Sequence, residues 1–201
     1  MKKNGKARIA VLISGGGTNL QAIIDKWKAG ELPHVEPVLV ISSRRNAGGL
    51  ARAEKAGIKN IFIKKEGFEK NLSALLKEYH IDLLVLAGFL KILSEDFVRQ
   101  WPERILNVHP SLIPSFCGDG FYGLHVHEAA LKYGVKVTGA TVHFVNEVTD
   151  GGRIIAQKAV NVLEGDTPEI LQRRVMEEAE WILLPQAVET VAEELVRKEQ
   201  I

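Results

Sequence analysis

Apolar and polar positions follow two rhythms along this chain. Compact apolar runs of strand length occupy residues 8–13, 35–41, 61–63, 82–87 and 104–108. Between them the apolar positions recur with helical spacing. Residues 18–29 carry Leu20, Ile23, Ile24 and Trp27 on one face and stop at Gly30. Residues 48–56 end at Gly57, residues 69–79 turn Leu72, Leu75 and Leu76 inward, and residues 95–100 form a short helix. The run at 82–87 is apolar on both faces, as the middle of a parallel sheet requires. This alternation predicts a doubly wound sheet with right-handed crossovers, whose ligands bind outside the carboxyl ends of the strands.

The last third changes rhythm. Residues 111–123 form a Pro- and Gly-rich loop, and 124–133 have helical spacing. Residues 137–145 and 153–162 alternate like two-faced strands around the turn Asp150-Gly151-Gly152, which reads as an antiparallel hairpin. Residues 167–198 are mostly helical from the start signal Thr167-Pro168-Glu169, with a kink or split expected at Pro185. The predicted fold is therefore α/β: a mostly parallel, Rossmann-like sheet with helices on both faces and a C-terminal antiparallel hairpin. The absence of repeats or linkers predicts one domain over 1–201.

Bulk properties narrow the function. The 201 residues are 46% hydrophobic and 25% charged, a globular balance. A net charge of +1 offers no global attraction to nucleic acid or anionic membrane. A single cysteine, Cys117, leaves no internal disulfide or multi-cysteine metal site, so no metal is expected and a reducing cytoplasm is. The basic N-terminus lacks a cleavage signal. The longest greasy stretch, 83–93, is shorter than the roughly 20 residues of a membrane helix.

Two strand ends carry candidate chemistry. The run Asn107-Val108-His109-Pro110 delivers an amide and an imidazole at alternate positions, which face the same way on a strand. Such donors aimed at one point suit a developing oxyanion, and a carboxylate such as Asp150 would hold the imidazole in its charged or correctly tautomeric form. Taken alone, Asp150 is equally a turn former. The loop Ser14-Gly15-Gly16-Gly17-Thr18-Asn19 opens the first helix, where free N–H groups and the helix dipole favour an anion. The third glycine of a dinucleotide fingerprint would fall at Gln21 or Leu20, and no Gly-Lys-Ser/Thr follows. One phosphate fits better than a pyrophosphate. The alternative is a turn capped by Thr18 or Asn19.

These stretches resemble the folate-dependent formyltransferases, and glycinamide ribonucleotide formyltransferases among them, along nearly the whole chain. The resemblance lies in residues 11–23, 86–94, 107–114 and 141–152, with Asn-x-His-Pro-Ser-Leu and a later Asp marking the wider superfamily. The glycine loop and the length are expected to separate this member from methionyl-tRNA formyltransferases, which add a C-terminal domain, and from formyltetrahydrofolate hydrolases, which usually add an N-terminal regulatory one. The resemblance implies formyl transfer from 10-formyltetrahydrofolate, as co-substrate, to the amine of glycinamide ribonucleotide. It implies Asn107, His109 and Asp150 as the catalytic trio, with Gly16, Gly17, Thr18 and Asn19 at the nucleotide phosphate. It puts Leu90, Lys91, Ile92 and Leu93, with Asn107, along the folate, Lys65 near it, and Glu180 on the nucleotide. Three features depart from the pattern: the longer loop 115–123, a candidate lid or oligomer contact; Ala179-Glu180-Trp181 where many members have Glu-His; and Lys91 in place of Arg.

The remaining candidates read more plainly. His143 alternates with Thr141 on its strand, and both are expected to support the cleft. His125 and His127 diverge at i and i+2 on a helix and read as surface or cap residues rather than metal ligands. Cys117 has no base partner in sequence, and Trp27, Trp101 and Trp181 read as packing. Lys64-Lys65 is either a steering site for the folate tail or a solvated turn. The hairpin and the long loop are candidate surfaces for a homodimer. A hydrolase releasing formate from the same folate, and a non-catalytic nucleotide-binding module, are the rival readings.

Overall fold

The computed structural model describes residues 5–198. Strands β1 (Ala7–Ile13), β2 (Val35–Ser42), β3 (Lys59–Phe62), β4 (Leu83–Leu86) and β5 (Ile105–His109) run parallel in the spatial order β3-β2-β1-β4-β5. Strands β6 (Val137–Phe144) and β7 (Ile154–Asn161) extend the sheet beyond β5. The expected hairpin is present, and β6 is antiparallel to β5 as well as to β7. Helices α1 (Thr18–Lys28), α2 (Gly48–Ala56), α3 (Phe68–Glu78), α4 (Glu95–Arg99) and α5 (Leu124–Tyr133) follow β1 to β5 in turn. Beyond β7 come α6 (Pro168–Val175), a π-turn (Met176–Glu180) and α7 (Trp181–Lys198).

Strand alternation divides the core into two layers. Ile9, Val11 and Ile13 of β1 pack with α1 and α7 on one face, whereas Ala10 and Leu12 pack with α3 and α4 on the other. The same parity puts Leu83 and Val85 of β4 on the first face and Leu84 and Leu86 on the second. Both faces are covered, which is why these strands read as unbroken apolar runs. On β5, Leu106 and Val108 join the first core and Ile105 the second. Asn107 and His109 share the parity of Ile105 and lie at the carboxyl end of the strand.

The chain moves from β1 to β2 in one direction and returns to β4 on the other side. The gap between the ends of β1 and β4 is thus a topological switch point, where such sheets bind ligands. Pro37, inside β2, removes no ladder bond to β3, because β3 pairs only with Leu39–Ser42.

The break in the C-terminal helix is not at Pro185. Thr167 caps α6 by accepting from the Ile170 N–H, and Pro168 sits at its start, as the sequence predicts. The helix then widens into a π-turn at Met176–Glu180, and Pro185 lies inside α7. The irregularity comes before the proline, not at it. A π-turn adds a residue to the helical cycle, and such turns recur at functional sites.

Candidate active site

The glycine loop leaves β1 and enters α1 with Gly17 as N-cap, in the left-handed region at φ 74°, and no side chain caps the helix. The capping alternative for Thr18 and Asn19 therefore does not hold. A Cβ at Gly17 would stand 2.6 Å from the Gly49 Cα at the start of α2, so only glycine lets the two elements approach. Gly15 and Gly16 have open space where a Cβ would be. Arg52 of α2 donates to the Gly16 carbonyl at 2.8 Å and steadies the loop from outside.

Next to the loop, Ser14 fastens a second segment. Its hydroxyl accepts from the Leu90 N–H at 2.9 Å and shares a hydrogen bond with the Ser43 hydroxyl at 2.7 Å. Residues 88–93 are thereby anchored beside the end of β1. Leu90 and Ile92 are exposed, while Leu93 is buried. The Lys91 ammonium lies 5.2 Å from the centre of the Phe68 ring, a cation–π distance.

Across the switch point, β5 and β6 pair so that Asn107 opposes His143 and His109 opposes Thr141. The Asn107 amide lies 3.2 Å from His143 Nε2 and donates to Asp150 Oδ1 at 3.5 Å. His109 Nδ1 is 3.5 Å from Asp150 Oδ2, and His143 Nε2 is 3.6 Å from Oδ1. Asp150 itself adopts a left-handed φ of 54°. The glycines after it have a steric reason: a Cβ on Gly152 would fall 1.7 Å from the Phe144 carbonyl oxygen. The turn is thus pressed against the end of β6, with its carboxylate turned toward His109.

The long loop closes over this group. His109 Nε2 is 2.9 Å from the Phe116 carbonyl, and the Gly118 N–H donates to Asp150 Oδ2 at 2.9 Å. Burial lowers the pKa of His109. The Asp150 charge and the Phe116 carbonyl oppose that shift, His143 adds to it, and burial prevails. The Asp150 charge favours the charged imidazole as expected, and desolvation outweighs it. Burial pushes the Asp150 carboxyl up, but His143, His109 and the Gly118 N–H together leave it below its ordinary value.

The glycine loop, segment 88–93 and the Asn107–His109–Asp150 group share one cavity of about 490 Å³. Gly16, Gly17, Thr18, Asn19, Leu90, Lys91, Ile92, Leu93, Asn107, His109, His143, Asp150 and Glu180 all line it. Lys65 does not; it lies in the turn before α3, whose first N–H bonds to its carbonyl. Thr141 also stands off the cavity. It is fully buried, donates to the Ser111 carbonyl at 2.7 Å and accepts from the Ile113 N–H at 3.1 Å, holding the proline loop behind His109.

Several wall residues escape a reading of the sequence. Gln172 and Met176 line the cavity with Glu180, at intervals of four along the C-terminal helix. That spacing was the available signal. Asn19 donates to Glu180 Oε2 at 2.6 Å, and its own carbonyl oxygen has no protein partner. Burial raises the pKa of Glu180, with Asn19 opposing, so this carboxyl is biased toward its neutral, donating form. His127 overturns the surface reading: it is fully buried and lines the cavity, whereas His125 is exposed and faces Glu128.

Backbone amides on one wall and an amide–imidazole–carboxylate group on the other line a single cleft at the switch point of an α/β sheet. The chain belongs to the formyl transferase family: a family model described as Formyl transferase matches residues 7–188. It is 46% identical over 199 residues to the trifunctional purine biosynthetic protein adenosine-3 of Bos taurus, covering 96% of this chain and 19% of that one. The chain thus spans about a fifth of the length of that relative. It is 38% identical over 199 residues to the chloroplastic phosphoribosylglycinamide formyltransferase of Arabidopsis thaliana, covering 96% of this chain and 68% of that one. Among solved structures, glycinamide ribonucleotide transformylase 1 from Symbiobacterium toebii superposes with a TM-score of 0.88 at 42% identity, covering 96% of this chain and 90% of that one. Among the described residues no helix is long and apolar enough to cross a membrane.

Proposed function

We propose that this chain transfers the formyl group of 10-formyltetrahydrofolate to the primary amine of glycinamide ribonucleotide, a step of purine biosynthesis. One observation carries the reading. Asn107, His109 and Asp150 converge within hydrogen-bonding or ion-pair range on the same cavity as an uncapped glycine loop. Family membership and the names of the relatives support it.

The amine attacks the formyl carbon and a new C–N bond forms. The oxygen becomes an oxyanion, toward which the Asn107 amide and an imidazolium at His109 can donate. At rest Nε2 faces the Phe116 carbonyl and Nδ1 faces Asp150, so the reacting oxygen would reach Nε2 by taking the place of that carbonyl. The proton lost by the attacking nitrogen passes to this pair, where the Asp150 charge stabilises the imidazolium. His109 then protonates the folate nitrogen as its C–N bond breaks. No enzyme nucleophile is needed. Gly16, Gly17, Thr18 and Asn19 would hold the phosphate and Glu180 the nucleotide. Leu90, Lys91, Ile92 and Leu93 would line the folate. The reading treats residues 1–201 as one functional unit working in the cytoplasm on small molecules, without metal, nucleic acid or membrane.

The test is the absorbance change of 10-formyltetrahydrofolate on adding synthetic glycinamide ribonucleotide. Turnover that requires the ribonucleotide supports the transferase. Rapid formate release with no acceptor favours the hydrolase, and an inert protein favours a binding module.

A further inference from the structure

One buried imidazole takes no part in the mechanism above. His127, on α5, is fully buried, and neither ring nitrogen meets a protein partner. A buried polar group left unmet costs about 1–3 kcal/mol, and a leucine there would avoid that cost. The residue nevertheless lines the cavity. Burial, helped by the nearby charge of His109, lowers its pKa to about 4, so at neutral pH it offers one donor and one acceptor.

Its neighbours indicate which end of the cavity it faces. Helix α5 packs against α6, which brings Gln172 to the same wall, and the π-turn beyond brings Met176 and Glu180. That is the wall of Asn19 and the glycine loop. His127 is also near enough to His109 to feel its charge. It therefore lies on the ribonucleotide side, close to the reacting amine rather than to the phosphate.

Given the proposed reaction, on which this inference rests, we propose that His127 contacts substrate by hydrogen-bonding the amide of the glycinamide arm. An amide presents a carbonyl and an N–H, the complement of a neutral imidazole. In this substrate the amide is one carbon from the attacking nitrogen. The contact would orient the arm so that the amine meets the formyl carbon beside Asn107 and His109.

The test compares wild type with His127→Leu and His127→Gln. Wild-type turnover with both substrates tests the underlying reaction; the variants, relative to wild type, test His127. The Leu variant should raise the ribonucleotide KM about tenfold, the loss of roughly one hydrogen bond. It should leave the folate KM unchanged and hold or raise Tm. The Gln variant, which keeps a donor and an acceptor, should stay within about threefold of wild type. Ribose 5-phosphate, which lacks the amide arm, should bind all three proteins equally in calorimetry. A Leu variant with wild-type ribonucleotide KM overturns the proposal, as does equal weakening of ribose 5-phosphate. If the Leu variant does not fold, His127→Met, which also lacks donor and acceptor of this kind, replaces it: a wild-type KM combined with a lowered Tm marks a structural histidine and also overturns the proposal.

Discussion

The parallel N-terminal part and the antiparallel C-terminal part contribute to the cavity in different ways. From β1, the chain offers backbone: an uncapped helix start held against α2 by the absence of side chains at Gly17 and Gly49. From β5 and β6 onward it offers side chains, with Asn107, His109, His143 and Asp150 packed into one polar group. Backbone amides do not titrate and keep their donor character at any pH. Imidazole and carboxyl do titrate, and here burial and close neighbours set their state. On the proposed function, the division would put recognition of a constant charge on one side and the movement of protons on the other.

Substitutions on the titrating side should have the largest effect. His109→Ala and Asp150→Asn are each expected to cut kcat by about 10²–10⁴-fold while the protein stays folded, the span of a lost acid–base group. In Asp150→Asn, NMR titration should also find the His109 pKa lower than in wild type, because the Asp150 charge raises it. Wild-type rates in either variant would remove that residue from the chemistry.

Acid stability reports on burial. An unfolded histidine takes its proton near pH ~6.5, whereas folded His127 resists until about 4. Across that window the unfolded chain binds more protons, so stability falls as pH drops. Between pH 7.5 and 4.5 the wild type should lose about 2–3 kcal/mol relative to His127→Leu, measured by urea unfolding. A difference that stays constant with pH would show that His127 is not buried neutral.

The backbone side should respond in KM. Gly16→Ala places a Cβ in open space and is expected to raise the ribonucleotide KM by about 10–100-fold, with kcat and folate KM little changed. A change confined to the folate KM would reassign the loop. The smallest effect is expected from Ser14→Ala, which frees the Leu90 N–H: about a fivefold rise in folate KM. An unchanged folate KM would detach segment 88–93 from the folate.

Much of this was legible in the sequence because it follows from local pattern. The apolar runs and Gly-marked helix ends identify the sheet, and Asn107 and His109 share a face through strand periodicity alone. Asp150 was legible only through family resemblance, since its approach to His109 depends on how Gly152 seats against Phe144. His127 was misread because the i, i+2 argument concerns helix faces, not the depth at which a helix lies. Lys65 lies off the cavity because the turn before α3, not its spacing from Phe89, sets its position, whereas Thr141 supports the proline loop behind His109. The resting charge of His109 follows from burial, which the sequence does not display.

The widened turn at Met176–Glu180 ties two distant demands together. Residues in a π-turn advance by about 80° rather than about 100°, so its five residues sweep nearly the angle that four sweep in a regular helix. The added residue is taken up without rotating α7 relative to α6, so Gln172 and Glu180 keep to one wall and the buried stripe of α7 keeps its place. The widening is therefore a phase-neutral splice between the lining of a chamber and the longest helix that roofs it, and losing the surplus residue would leave both flanks in register.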